Sequence, residues 1–236
     1  VGGARVSPDL ITRARALGLP ACEGYGLSEA GSVVALNRPD DAPGAVGRVL
    51  PHLRAEIAPD GEILLHGSRL AGYLGAAAPA GGPLHTGDIG HVDVRGCLHV
   101  TGRIKHQIIT GFGRNVAPEW PEAELLAAAA VAQAVVFGEG RPGLAAVIAP
   151  RGEVTDEALA AVVRAANDRL PDYARITHWL RADAPFSALN GQATDNGRVR
   201  RDPIFRAYGE RLAALYSAAH EAHLPFTEET FPDVVS

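Results

Sequence analysis

Several short glycine-bearing segments of this 236-residue sequence carry side chains suited to holding a phosphorylated ligand. Gly24-Tyr25-Gly26-Leu27-Ser28-Glu29 places an aromatic ring, a hydroxyl and a carboxylate in one short stretch. A loop of that kind can present backbone N–H groups and oxygen donors to a phosphate and its metal, and the flat Tyr25 ring is suited to stack on a purine. Thr86-Gly87-Asp88 supplies a further carboxylate, which can accept bonds from two neighbouring hydroxyls. In Gly102-Arg103-Ile104-Lys105 the guanidinium of Arg103 is a rigid fork that can bridge oxygens. Two more segments follow: Thr110-Gly111-Phe112-Gly113-Arg114-Asn115-Val116-Ala117-Pro118, then Asn196-Gly197-Arg198-Val199-Arg200-Arg201. Each alone is weak, because glycine beside a polar residue is ordinary turn chemistry.

These residues need elements to position them. Ser7, Pro8 and Gly18 bracket a helix over 7–18, and Leu19–Cys22 reads as a short buried strand leading into the Gly24–Glu29 loop. Residues 46–101 are β in character. One hairpin turns at Pro59-Asp60-Gly61 between 54–58 and 62–66. A second turns at Arg95-Gly96, with Val92, Val94, Leu98 and Val100 expected on its apolar face. Residues 76–83 form a small-residue loop. After Gly102, helix and strand alternate: a strand at 107–109, a helix over 119–130, a hairpin of 134–137 with 144–149, a helix over 156–170 capped by Thr155, and a strand at 178–180. That order predicts a small mixed sheet with helices on it.

Composition bounds the rest. A 47% hydrophobic, 21% charged chain can bury a sizeable core and is not disordered. The net charge of -5 lacks the basic footprint of non-specific nucleic-acid binding. Two widely spaced cysteines, Cys22 and Cys97, fit a reduced, cytoplasmic setting, and no run reaches the length of a membrane span. His85, His91 and His99 lie close together, but no cysteine pairing supports a zinc site. Gly111-Phe112-Gly113 lacks the third glycine of a dinucleotide fingerprint.

Taken in order, the segments from Tyr25, Thr86, Gly102 and Thr110 resemble the adenylate-forming superfamily, which includes acyl-CoA synthetases, firefly luciferase and the adenylation domains of peptide synthetases. Similar enzymes use ATP to activate a carboxylate. The resemblance implies a mixed α/β and α+β architecture: the remnant of a large adenylating N-terminal domain with a β-rich subdomain, then a small mixed-sheet C-terminal domain. It divides the chain into 1–30 (end of the α/β part), 31–102 (β-rich subdomain), 103–206 (C-terminal α+β domain) and 207–236 (C-terminal helix and tail).

The resemblance also implies roles. Tyr25 packs on adenine within the Gly24–Gly26 turn, Ser28 contacts phosphate, Glu29 helps bind Mg²⁺, Asp88 takes the ribose hydroxyls and Arg103 the nucleotide. Lys105 fills the hinge between the two large domains, and Gly111 and Gly113 approach the pantetheine arm of coenzyme A. Ile108-Ile109-Thr110, the two glycines and Asn115-Val116 resemble the long-chain acyl-CoA synthetase branch, which implies a medium- or long-chain fatty acid as substrate. Pro121 stands where relatives carry an aliphatic residue before Glu122. The larger departure is Arg198, which occupies the position of the adenylation lysine and keeps its charge but not its compact ammonium. The family's phosphate loop matches nothing in residues 1–24, and the sequence opens on Val1 with no methionine, as a record starting part-way through a polypeptide would. Two alternatives accompany the acyl-CoA ligase: a non-catalytic nucleotide-binding piece, and an adenylating enzyme that delivers the acyl group to a carrier protein.

Overall fold

The structure is a computed structural model that describes residues 1–3, 5–67, 72, 74–75 and 81–221, the side chains of 218–221 excepted. Helix α1 (Pro8–Ala16) opens the chain at the expected place. Its Ser7 makes no capping bond; the hydroxyl reaches Glu124 Oε1 at 3.5 Å instead. The strand expected at Leu19–Cys22 is absent. Leu19 is 57% exposed and the Ala21 carbonyl accepts from the Arg15 side chain; strand-type backbone bonding starts only at Cys22, whose carbonyl accepts from Val1 N while Gly24 N donates to Val1 O. Pairing begins two residues later, where β1 (Gly24–Tyr25), β2 (Ala35–Leu36) and β3 (Arg48–Val49) form a small antiparallel sheet.

An antiparallel meander follows: β4 (Arg54–Ile57), β5 (Glu62–His66), β6 (Leu84–Val92) and β7 (Leu98–Arg103). Both expected hairpins are present. Strand β6 starts well before the second of them, so Thr86-Gly87-Asp88 lies inside a strand rather than ahead of it. Val94 sits in the turn and is fully exposed, because the Asp93 carboxylate draws that turn tight by accepting bonds from Arg95 N and Cys97 N. Leu98, Ile63, Leu65, Val34 and Ala35 make the core that joins the meander to the small sheet. Residues 76–80 of the expected small-residue loop lie outside the described residues.

Past Arg103 a single 3-10 turn, Ile104–His106, leads to the two-stranded ribbon β8 (Ile108–Ile109) and β9 (Asn115–Val116). Helix α2 (Glu119–Leu126) stops short of the expected residue 130. Then come β10 (Val131–Phe137), β11 (Leu144–Pro150), α3 (Asp156–Asn167), β12 (Ile176–Arg181) and α4 (Arg201–Glu221). Thr155 caps α3 by accepting from Ala158 N at 3.3 Å. Strand β11 pairs antiparallel with β10 and parallel with β12, so the expected mixed sheet is present. Its alternation sorts two cores. Leu144, Ala146 and Ile148 pack with α2 and α3, while Ala145, Val147 and Ala149 pack with Ile204, Tyr208 and Leu212, one turn apart on α4. Helix α4 is continuous through residues 206 and 207, and residues 222–236 lie outside the described residues.

Gly47 couples the small sheet to the meander. Its carbonyl accepts from Leu98 N at 2.8 Å, and its φ of +90° is a conformation that side chains resist. A Cβ there would lie 2.1 Å from Leu36 O. Gly47→Ala is therefore expected to lower unfolding stability by about 2 kcal/mol or more, measured as the shift of a urea melt; an unchanged midpoint would show that the strands slide freely.

Candidate active site

Asp88 joins the two halves of the first motif group. It is 3% exposed and receives two short bonds: Tyr25 Oη donates to Oδ2 at 2.6 Å, and Arg103 Nε donates to Oδ1 at 2.7 Å. Strand register produces the second. Near the turn, Val92 faces Leu98, His91 faces His99 and Gly90 faces Val100, but further along Ile89 faces Gly102 and Asp88 faces Arg103. Thr101 is the extra residue of this bulge, and its hydroxyl donates to Ile89 O at 3.2 Å. Without it Asp88 would face Gly102, and the Arg103 side chain would lie on the other face of the sheet. Gly87, at φ +68°, turns the chain just before the acid, while Thr86 Oγ1 accepts from Asp88 N at 3.0 Å and donates to Ile63 O at 2.7 Å.

Burial, reinforced by the hydrogen bond to Asp88, raises the Tyr25 phenol well above its ordinary range, so it remains a donor. The loop after Tyr25 folds back on itself: Ser32 N donates to Leu27 O at 3.1 Å and Val34 N to Tyr25 O at 2.8 Å. Gly26 has to be glycine here, since a Cβ would fall 1.6 Å from Ser32 O. Ser28 and Glu29 start the 3-10 turn Ser28–Ala30, with Ser28 exposed and Glu29 half-buried.

A cleft of about 1850 Å³ collects most of the expected site residues. Gly24, Tyr25, Gly26, Ser28, Glu29, Asp88, Arg103 and Lys105 line it, and so does Arg198 from the C-terminal part. Arg198 Nη2 lies 3.9 Å from the place a Cβ would take on Gly3. Gly111 and Gly113 are not brought in. Gly111 N donates to Arg141 O at 2.8 Å, and a Cβ on Gly111 would lie 3.1 Å from Gly140 O. Gly113 has φ +72° and closes the turn by donating to Thr110 O at 2.8 Å. The ribbon and the turn it docks on therefore demand both glycines before any ligand is considered. His91 and His99 stack with ring centroids 4.7 Å apart, and no group of three metal-binding side chains occurs among the described residues.

Sequence reasoning passed over the charged groups of α2. Glu122 is buried, and both its oxygens accept from Arg201 Nη2 at 2.7 Å; Oε1 also accepts from Val136 N at 2.7 Å. Burial pushes the Glu122 carboxyl up to about 7, against the pull of Arg201. Glu119, beside it, is also pushed up by burial, but the hydrogen bond with His106 and the nearby Arg201 together hold it below its usual value. A signal existed: three acids and no basic residue occupy an eight-residue helix, so their partners must come from elsewhere in the chain.

Residues 105–220 match the family model described as the AMP-binding enzyme C-terminal domain. The chain is 32% identical over 247 residues to a long-chain-fatty-acid–CoA ligase of Mycobacterium tuberculosis, covering 92% of this chain and 41% of that protein. Among solved structures, o-succinylbenzoate CoA synthetase from Bacillus subtilis superposes with a TM-score of 0.65 at 26% identity in its complex with an acyl-adenylate, covering 77% of this chain and 41% of that one. Its complex with ATP and magnesium gives a TM-score of 0.64 at 27% identity, with 77% and 42% covered. The chain belongs to the adenylate-forming superfamily and contains its AMP-binding enzyme C-terminal domain. It spans about two fifths (41%) of the length of that fatty-acid–CoA ligase.

The raised Glu122 carboxyl has a sign that can be measured. A folded value of about 7 lies above the ordinary 4.5, so the native state holds this proton longer than the unfolded chain. The stability it contributes is fully present below pH 4.5 and is lost as pH rises through about 7. Urea melts at pH 5 and pH 8 should therefore show wild type losing ground to Glu122→Gln at the higher pH; a gain would reverse the assignment.

Proposed function

We propose that the protein carrying this chain activates a carboxylic acid of medium or long acyl chain with ATP-Mg²⁺ and passes the acyl group to coenzyme A. The observation that carries the reading is the shared cleft: the Tyr25–Asp88–Arg103 set faces the same space as Arg198. In the first half-reaction the substrate carboxylate attacks the α-phosphorus of ATP and pyrophosphate leaves. In the second the coenzyme A thiol attacks the acyl carbonyl and AMP leaves. Neither step needs a covalent bond to the protein, so positioning and charge neutralisation supply the catalysis.

Each residue then has a task. Tyr25 lies against the adenine and Ser28 donates to phosphate. Asp88 accepts the ribose hydroxyls on lone pairs that Tyr25 and Arg103 leave open, since a carboxylate has about four acceptor positions. Arg103 neutralises phosphate charge, and Arg198 takes the place of the adenylation lysine at the reacting carboxylate and phosphate. The oxygen donors of Glu29 and Ser28 suit Mg²⁺, which is commonly bound by one or two carboxylates together with the phosphates of its substrate. That ion would supply charge neutralisation of the phosphates. Lys105 is the hinge: rotation there would exchange the Arg198 face for the Gly111–Gly113 face between the half-reactions.

Pyrophosphate release with ATP-Mg²⁺, coenzyme A and a panel of straight-chain acids tests the reading. Release dependent on one class of acid, with an acyl-CoA product, is expected. Transfer to a holo-carrier protein but not to coenzyme A would change the acceptor, and AMP binding with no acid-dependent release would leave a nucleotide-binding module. Two variants separate the tasks. Asp88→Asn should weaken AMP binding by about tenfold in calorimetry, the scale of one charge-assisted hydrogen bond. Lys105→Pro should slow the overall reaction while AMP binding stays intact, and normal turnover in that variant would remove the hinge.

A further inference from the structure

We propose that Arg201 is a positioning residue, which holds the exposed turn bearing Arg198 against the cleft. The role assigned to Arg198 rests on the functional reading above; the mechanical role of Arg201 does not. Residues 192–200 form a hairpin: Arg200 N donates to Gln192 O at 2.8 Å, Ala193 pairs with Val199, and Thr194 N donates to Arg198 O at 2.8 Å. Its tip, Thr194 to Arg198, is exposed and draws its order from bonds within itself, among them Gly197 N to Thr194 O and Arg198 N to Thr194 Oγ1. A hairpin tip of that kind takes its direction from its two roots. One root is Ala193, buried in the core beneath α4. The other is Arg201, three residues after Arg198 and the first residue of α4.

The second root is pinned to two different elements. Arg201 Nη2 reaches both oxygens of Glu122 on α2, and Nη1 donates to Val136 O on β10 at 3.0 Å. Val136 N closes the ring by donating back to Glu122 Oε1. Such a ring fixes a guanidinium in both position and plane. A buried ion pair is seldom retained for stability, because hydrophobic residues of similar volume often serve as well or better. The sequence places this one where the direction of the Arg198 turn is set, and that is the property an apolar pair would not keep.

The test uses the double variant Glu122→Leu/Arg201→Met, which removes both charges together and leaves neither buried alone. The expected result is amide hydrogen exchange of Thr194, Gly197 and Arg198 faster by about tenfold, with faster exchange also at Val136, whose N–H loses its Glu122 acceptor, and exchange in the rest of β10 and in β11 unchanged. Acid-dependent ATP–pyrophosphate exchange should fall by about tenfold, and the same double change made on an Arg198→Ala background should lower it little further, as expected of residues that act as one unit. Tip exchange equal to wild type, faster exchange throughout the domain, or full multiplicative loss on the Arg198→Ala background would each overturn the proposal. If the tip loosens as expected but wild type makes no adenylate from any acid, the positioning role stands and the functional reading fails.

Discussion

The buried carboxylate of Asp88 is the constraint on which the candidate site depends. It draws together a loop from the start of the chain and the end of β7 by accepting from Tyr25 and Arg103 at once. Because β7 runs directly into the Ile104–His106 turn, the same carboxylate fixes where the C-terminal part begins. A buried carboxylate without partners would cost several kcal/mol. With two donors in place it becomes a rigid fitting, and the cleft beside it acquires a defined wall.

Another part of the cleft lining uses the same physics in a different way. Glu122, Arg201 and Val136 form a closed ring of bonds within the C-terminal domain, and burial raises the acid despite its cationic partner. Such a ring is poor evidence of stability and good evidence of fixed direction. Both parts thus place charged groups at the junction of two packed units, where small errors in angle would become large errors at the cleft.

Much of this was legible in the sequence. Glycine-centred turns at Asp60-Gly61 and Arg95-Gly96 mark both hairpins, and the unbroken apolar run of β11 marks a strand buried on two faces. The side chains of Tyr25, Ser28, Glu29, Asp88, Arg103 and Lys105, with Arg198, do line one cleft. What the sequence hid was non-local. The bulge at Thr101 brings Arg103 opposite Asp88, and no local propensity announces it. The apolar run Leu19–Cys22 looks like a strand, but Leu19 is exposed and the Arg15 side chain occupies the Ala21 carbonyl, so strand-type backbone bonding starts only at Cys22. Val94 continues an alternating pattern that the Asp93 turn interrupts. Glu122 and Arg201 are 79 residues apart, and only the finished fold makes them neighbours.

The most direct measurement is a crystal structure of the protein with AMP. The ribose hydroxyls should lie on the Asp88 carboxylate, the base against the Tyr25 ring, and the phosphate toward Arg103 and Ser28. AMP bound away from Asp88, or in this cleft with its ribose turned from that carboxylate, would contradict the assignment of the cleft as a nucleotide site.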